Sequence, residues 1–128
     1  MPFYIDPCFC VREKTDVKKR VLIIEDNYML SKVLQDLLES DGFEVSQCDN
    51  GTHALSVSES TCFDVIISDY RLPGLNGAQV TRSLRDRCRG SFIVGCSAEP
   101  REKDFLDAGA DVFLKKPFRF SELISLIE

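Results

Sequence analysis

The sequence lacks several features that would assign it to common functional classes. Its 128 residues contain no internal repeat and no apolar run near the roughly 18 residues that a membrane-spanning helix needs. It also lacks an excess of positive charge, since 16 Lys and Arg are outnumbered by 21 Asp and Glu, giving a net charge of −5. Proteins that grip a nucleic-acid backbone usually present a positive surface. We therefore expect neither membrane insertion nor direct nucleic-acid binding by this segment.

The six cysteines form no C-x-x-C pair, and no export signal precedes them. They are Cys8, Cys10, Cys48, Cys62, Cys88 and Cys96. Asp6 and Pro7 interrupt the apolar N-terminus, and no basic segment comes before it, so a secreted disulfide scaffold is not indicated. We therefore expect reduced, buried cysteines in a cytoplasmic protein.

The length predicts one domain, and the charge distribution sets its first residues apart. Residues 1–20 begin with a short apolar piece interrupted by proline and continue with a charged run, and together they carry +2. Residues 21–128 therefore carry −7. We predict an N-terminal extension over 1–20 and a folded domain over 21–128.

From residue 21 onward, apolar runs alternate with helical patterns. The runs predict strands near 21–24, 43–48, 63–68, 92–96 and 112–115. A first helix, capped by Asn27, is predicted from apolar residues at helical spacing, namely Leu30, Val33, Leu34, Leu37 and Leu38. Further helices are predicted near 52–59, 77–87 and 100–108, and a last one is predicted to be capped by Ser121. This alternation predicts an α/β fold, with a doubly wound parallel sheet covered by helices on both faces.

Polar side chains follow four of the predicted strands. Glu25 and Asp26 follow the first strand, Asp69 the third, Ser97 the fourth and Lys116 the fifth. Ligands of such sheets bind outside the carboxyl ends of the strands. Three adjacent carboxylates repel one another, and a hard divalent cation such as Mg²⁺, which prefers oxygen ligands, would remove that repulsion. The sequence therefore predicts a cation-dependent site at this edge of the sheet.

Four segments resemble the receiver domain of bacterial-type two-component response regulators. They are VLIIEDN (21–27), DVIISDYRLPGLNG (64–77), IVGCSA (93–98) and GADVFLKKPF (109–118). The resemblance implies a flavodoxin-like αβα fold with five parallel strands in the order 2-1-3-4-5. It also implies a signalling switch that catalyses only its own aspartyl phosphorylation and dephosphorylation, and no reaction on a separate substrate.

The resemblance also implies a role for each matching residue at the metal. Asp69 would accept the phosphoryl group. Glu25 and Asp26 would hold Mg²⁺, or Mn²⁺, together with Asp69 and the backbone carbonyl of Arg71. A carboxylate can act as a nucleophile and form an aspartyl phosphate, and phosphoryl transfer depends mainly on positioning and charge neutralisation.

Further residues match the family at the phosphoryl group and at the switch. Lys116 and Ser97 would contact the phosphoryl oxygens, and the family usually has a cis bond at the position of Lys116–Pro117. Ser97 stands where threonine is commoner, and Phe113 stands where tyrosine is frequent. In the switch that the resemblance implies, Ser97 moves toward the phosphoryl group and Phe113 rotates inward.

The resemblance further implies partners and a gate. The phosphoryl donor would be a phosphohistidine of a sensor histidine kinase or a histidine phosphotransfer protein, and the outer face of the first helix, including Met29, would dock it. The surface of the fourth helix, fifth strand and fifth helix would change on phosphorylation and could pair two copies. Arg71 and Glu99 flank the phosphoryl site, and an ion pair between them would limit the access of water.

Three other functions fit parts of the pattern. A flavodoxin-like FMN binder shares the sheet order, but Glu25, Asp26 and Asn27 would repel a phosphate where such proteins have a Ser/Thr/Gly-rich loop. A phosphohydrolase with an aspartyl nucleophile would need a second acid two residues later, where this chain has Arg71. A receiver that serves only as a docking module is disfavoured by the complete residue set. The sequence leaves open whether the chain stands alone or belongs to a longer regulator or hybrid kinase.

Overall fold

The computed structural model describes residues 17–128. The elements are β1 (Arg20–Ile24), α1 (Tyr28–Ser40), β2 (Glu44–Cys48), α2 (Gly51–Val57), β3 (Val65–Asp69), α3 (Gly77–Arg87), β4 (Phe92–Ser97), α4 (Glu102–Ala108), β5 (Val112–Lys115) and α5 (Phe120–Ile127). Most of the predicted N-terminal extension, including Cys8 and Cys10, lies outside the described residues. No helix of residues 17–128 combines the length and the apolar character needed to cross a bilayer.

The five strands form one parallel sheet in the order β2-β1-β3-β4-β5, which confirms the predicted fold. Val21 pairs with Val65, Asp69 pairs with Cys96, and Ser97 with Lys115. Because β1, β3, β4 and β5 run in the same direction, they end together at one edge, which we call the carboxyl edge. The register therefore brings the residues that follow these strands into one place.

Both faces of the sheet are buried, which explains the continuous apolar runs of its strands. One core packs β-strand residues Val21, Ile23, Val65, Ile67 and Val94 against Leu34, Leu38, Leu123 and Ile127 of α1 and α5. The other packs Leu22, Ile24, Ile66 and Ile93 against Ala54, Val80, Leu84 and Phe105 of α2, α3 and α4. The sheet is thereby fixed between two layers of helices.

Most helix ends follow the local signals. The Asn27 side chain accepts a hydrogen bond from the backbone N–H of Leu30 at 3.1 Å and caps α1. The predicted cap of the last helix is wrong, because α5 begins one residue before Ser121. There the Arg119 backbone N–H donates to the Glu122 carboxylate at 2.8 Å, which satisfies a free donor at the start of the helix.

The outer face of α1 is more exposed than its periodicity suggests. The helical spacing of Val33 and Leu37 with Leu34 and Leu38 predicts that they belong to the core, but they are 52% and 40% exposed. Met29, expected on the outer face, is 75% exposed. The apolar stripe of α1 is wider than the strip that the sheet covers, so its outer part lines a groove of about 460 Å³ with Phe118 and Phe120.

The expectation of reduced cysteines is wrong for one pair. Cys62 and Cys88 form a disulfide, with their Cα atoms 5.6 Å apart. The segment before β3 and the end of α3 meet because α3 leads the chain back across the sheet to the amino end of β4. Cys48 and Cys96 are free and buried, as expected.

Candidate functional site

Three carboxylates meet at the carboxyl edge. Glu25 and Asp26 directly follow β1, and Asp69 is the last residue of β3. One oxygen from each of the three lies within 4.8 Å of the others. Glu25 is buried, Asp69 is half-buried and Asp26 is exposed, so the cluster opens to solvent on one side. This all-oxygen donor set fits a hard divalent cation such as Mg²⁺.

Lys116 neutralises part of this charge. Its ammonium group donates a hydrogen bond to Glu25 at 2.9 Å and lies 3.3 Å from Asp69. The Lys116–Pro117 peptide bond is cis, and the Lys116 backbone N–H donates to the carbonyl of Ser97 at 2.9 Å. The neighbouring Lys115 is exposed. One ammonium for three carboxylates leaves the cluster negative, which favours a further cation.

Burial and pairing oppose each other in the ionisation of this cluster. Burial raises the pKa of Glu25, although hydrogen bonds from Lys116 and from the Asn27 backbone N–H act in the other direction. Burial also acts to lower the pKa of Lys116, but the hydrogen bond to Glu25 and the charges of Glu25 and Asp69 outweigh it and raise that pKa. The ammonium is therefore charged at physiological pH.

Ser97 and Phe113 lie on the same face of neighbouring strands. Ser97 ends β4 and is 3% exposed. Its hydroxyl accepts a hydrogen bond from the Glu99 backbone N–H at 3.0 Å, so its own hydrogen is free for another acceptor. Phe113 is half-buried, and its ring centroid lies 5.9 Å from that of Phe105. Phe105 in turn packs edge-on against Tyr70 at 6.0 Å.

Arg71 and Glu99 form an ion pair beside the carboxylate cluster. The Arg71 guanidinium lies 2.5 Å from one Glu99 oxygen, and this hydrogen bond lowers the pKa of Glu99. Arg101 lies 3.6 Å from the other Glu99 oxygen and stacks 4.3 Å from the centroid of the Tyr70 ring. The pair thus connects the loop after β3 to the loop after β4.

Sequence reasoning missed Arg101, Tyr70 and two glycines. A Cβ on Gly77 would lie 2.1 Å from the Asp69 carbonyl oxygen, and a Cβ on Gly95 would lie 2.3 Å from the Phe105 ring. Both glycines therefore let neighbouring groups approach closely. A glycine inside a strand is a signal of such an approach, but it does not say which residue approaches.

Comparisons with known proteins agree with this geometry. Residues 21–128 match the family described as response regulator receiver domain. The chain is 34% identical over 113 residues to the uncharacterized transcriptional regulatory protein YkoG of Bacillus subtilis (strain 168). It is 32% identical over 114 residues to the DNA-binding response regulator MtrA of Mycolicibacterium paratuberculosis. The matches cover 86% and 87% of this chain, which spans about half the length of either relative.

One solved structure is similar throughout the domain. It is the receiver domain of the sensor histidine kinase PA1611 from Pseudomonas aeruginosa PAO1, with a magnesium ion coordinated in its active-site cleft. The TM-score is 0.79 at 30% sequence identity, and the match covers 87% of this chain and 95% of that one.

Proposed function

Because the chain belongs to the response regulator receiver domain family of two-component signalling, we propose that Asp69 accepts a phosphoryl group in a Mg²⁺-dependent reaction. The observation that carries the proposal is the cluster of Glu25, Asp26 and Asp69 with the ammonium of Lys116 against it. Carboxylate oxygens, a fixed positive charge and a half-buried nucleophile at one edge are what phosphoryl transfer to a carboxylate requires.

Each residue has a defined task in the transfer. Glu25, Asp26, Asp69 and the backbone carbonyl of Arg71 would hold Mg²⁺, or Mn²⁺, which neutralises charge on the incoming phosphoryl group. The Asp69 carboxylate attacks phosphorus, so a new O–P bond forms as the donor's N–P bond breaks. Lys116 pairs with the phosphoryl oxygens. Attack by water on the acyl phosphate later returns free Asp69 and inorganic phosphate, so the chain acts only on itself.

The phosphoryl group would then bias a two-state switch. It adds about −1.5 to −2 charge and three strong acceptors, one of which the free hydrogen of Ser97 can meet. Movement of Ser97 would open space for Phe113 to turn inward and would reshape the α4–β5–α5 surface, a population shift between two states. The reshaped surface could pair two copies of the domain. Without a tyrosine hydroxyl, the inward state of Phe113 is stabilised by packing alone.

The Arg71–Glu99 pair is proposed as a gate for water. Arg71 is 74% exposed at its side chain, so solvent screens the ion pair and its contribution to stability is small. Its proposed effect is on access to the acyl phosphate. Replacing both residues by Ala should shorten the lifetime of the phosphorylated state, and an unchanged lifetime would exclude the gate.

The family and the net negative charge of residues 21–128 together indicate which partners the domain would bind. The donor would be a sensor histidine kinase or a histidine phosphotransfer protein in the cytoplasm. MtrA is named as DNA-binding, but this chain covers only about half of it. We propose that residues 21–128, which are acidic, form the receiver domain without contacting nucleic acid, and that the N-terminal extension lies outside it. The extension ends before the predicted residue 20, because Arg20 begins β1 and pairs with Glu44 in the sheet.

The decisive experiment measures modification of Asp69. The chain is incubated with acetyl phosphate, or with beryllofluoride as a phosphoryl mimic, with and without Mg²⁺. Intact mass and NMR shifts should report a Mg²⁺-dependent change in the wild type that Asp69→Asn abolishes. Asp49→Asn, an exposed carboxylate that follows β2, is the matched control and should leave the reaction intact. A Mg²⁺-dependent modification that persists in Asp69→Asn would refute the assignment.

A further inference from the structure

The Cys62–Cys88 pair lies at the end of the domain opposite the carboxyl edge. Cys62 precedes β3, whose far end carries Asp69, and Cys88 directly follows α3. We infer that these two cysteines form a redox modification site, which cycles between a dithiol and a disulfide in exchange with low-molecular-weight disulfides such as glutathione disulfide. This inference stands independently of the proposed phosphorylation.

The two sulfurs differ in their access to solvent. Cys62 lies in an exposed position, whereas Cys88 is 2% exposed. Thiol–disulfide exchange requires a thiolate that can reach the attacked sulfur. An external disulfide therefore reacts first with Cys62, and Cys88 is placed to complete the exchange from inside the protein.

The exchange is balanced in two steps. The Cys62 thiolate attacks one sulfur of glutathione disulfide, so a mixed disulfide forms and one glutathione thiolate leaves. The Cys88 thiolate then attacks the Cys62 sulfur of that mixed disulfide, and a second glutathione thiolate leaves as the Cys62–Cys88 bond forms. Two protein thiols are oxidised and one glutathione disulfide is reduced to two thiols, with both protein protons released to solvent or to the leaving thiolates. Excess glutathione reverses both steps.

Other contacts hold this corner without the sulfur–sulfur bond. The Arg87 guanidinium donates to the carbonyl of Leu55 at 2.9 Å, across to α2. The Ser91 hydroxyl donates to the carbonyl of Phe63 at 2.5 Å, which joins the segments that carry the two cysteines. The reduced thiols therefore stay opposite each other, and the bond can re-form without rearrangement of the fold.

The two free cysteines of the described residues serve as internal references. Cys48 and Cys96 are 4% and 2% exposed and lie in different cores of the sheet. Within residues 17–128, neither has an exposed cysteine beside it, so the two-step route through a neighbouring thiol is not open to them there. Reactivity confined to one pair distinguishes a built redox site from general oxidation.

The test follows thiols in the full chain. Cys8→Ser and Cys10→Ser are introduced into every sample to remove thiols outside the described residues. The protein is equilibrated in buffers of increasing ratio of glutathione disulfide to glutathione. It is then denatured and alkylated, so that every remaining thiol is labelled, and its intact mass and peptide map are recorded. The wild-type pair should lose two alkylatable thiols together and regain them with reductant, while Cys48 and Cys96 keep theirs.

Two single variants test the order of attack. Cys88→Ser should retain one glutathione on Cys62, because the second step is removed. Cys62→Ser should take up none, because Cys88 is shielded. An adduct on Cys88 in Cys62→Ser, or no adduct in Cys88→Ser, would refute the assigned roles. If either variant fails to fold, the protein that retains both Cys62 and Cys88 still tests the inference by peptide mapping. The inference is overturned if both thiols of that protein stay reduced at every ratio of glutathione disulfide to glutathione.

Discussion

Replacing Lys116 by Met should make the metal-free protein less stable, and more so at neutral than at acidic pH. Lys116 is the cation that faces both Glu25, at 2.9 Å, and Asp69, at 3.3 Å. Its methionine replacement keeps most of the side-chain volume and removes the charge. The variant therefore leaves the Glu25 carboxylate, only 6% exposed, buried beside two other acids.

The magnitude follows from two limits. Breaking a buried pair by removing one partner costs about 3–5 kcal/mol. The loss of stability also has an upper limit, or ceiling, because Glu25 can take up a proton instead of remaining charged and buried. Near pH 7, protonating a carboxyl of ordinary pKa, about 4.3, costs about 3.7 kcal/mol. We expect the free energy of unfolding to fall by about 3 kcal/mol near pH 7.

The same ceiling fixes the pH dependence. Burial already raises the pKa of Glu25, and loss of Lys116 raises it further. The folded variant then binds more protons than the unfolded chain, so its stability falls as the pH rises above the unfolded pKa. Near pH 5.5 the ceiling is only about 1.6 kcal/mol, so the variant should lose about half as much stability there as near pH 7.

Urea denaturation in the presence of a chelator measures these differences. Lys115→Met is the matched control, because Lys115 is exposed and its loss should change stability by less than about 0.5 kcal/mol. Mg²⁺ should stabilise Lys116→Met more than the wild type, since the cation supplies the missing positive charge. A loss at Lys116 that equals the control, or that is the same at both pH values, would refute the electrostatic account of the site.

Three further predictions concern packing and sulfur. Gly95→Ala should destabilise the protein by about 2–3 kcal/mol in urea denaturation, because the added Cβ would overlap the Phe105 ring. Gly90→Ala is the control, because nothing lies within 4 Å of a Cβ at that position. Equal effects of the two substitutions would contradict the close packing at Gly95. Reducing the disulfide should lower the free energy of unfolding by about 3.5 kcal/mol, the value that the loop-entropy relation gives for cysteines 26 residues apart. A urea midpoint that does not change with reductant would refute this stabilisation. Burial raises the pKa of Cys48 to about 11 and that of Cys96 to about 12. Iodoacetamide near pH 8 should therefore label these two thiols only after unfolding. Equal labelling rates in the native and the unfolded protein, measured by mass spectrometry, would refute their burial.

The sequence alone determined the fold and the convergence of the charged residues. Strands buried on both faces appear as continuous apolar runs, and their alternation with helices allows few topologies. In a parallel sheet, residues that follow the strands must meet at one edge. The meeting of Glu25, Asp69 and Lys116 was therefore predictable from their positions along the chain, before any distance was known.

Only the tertiary structure decided which side chains touch across loops and between layers. No spacing pattern marks Cys62 and Cys88 as partners, because their proximity depends on how α3 returns across the sheet. The position of Arg101 between Glu99 and Tyr70 likewise depends on two loops of independent sequence. The periodicity of α1 indicates which of its faces is apolar, but not how much of that face the neighbouring elements cover. The exposure of Val33 was therefore not predictable from it. Such contacts depend on distances between segments that are far apart in sequence, and local patterns carry no information about those distances.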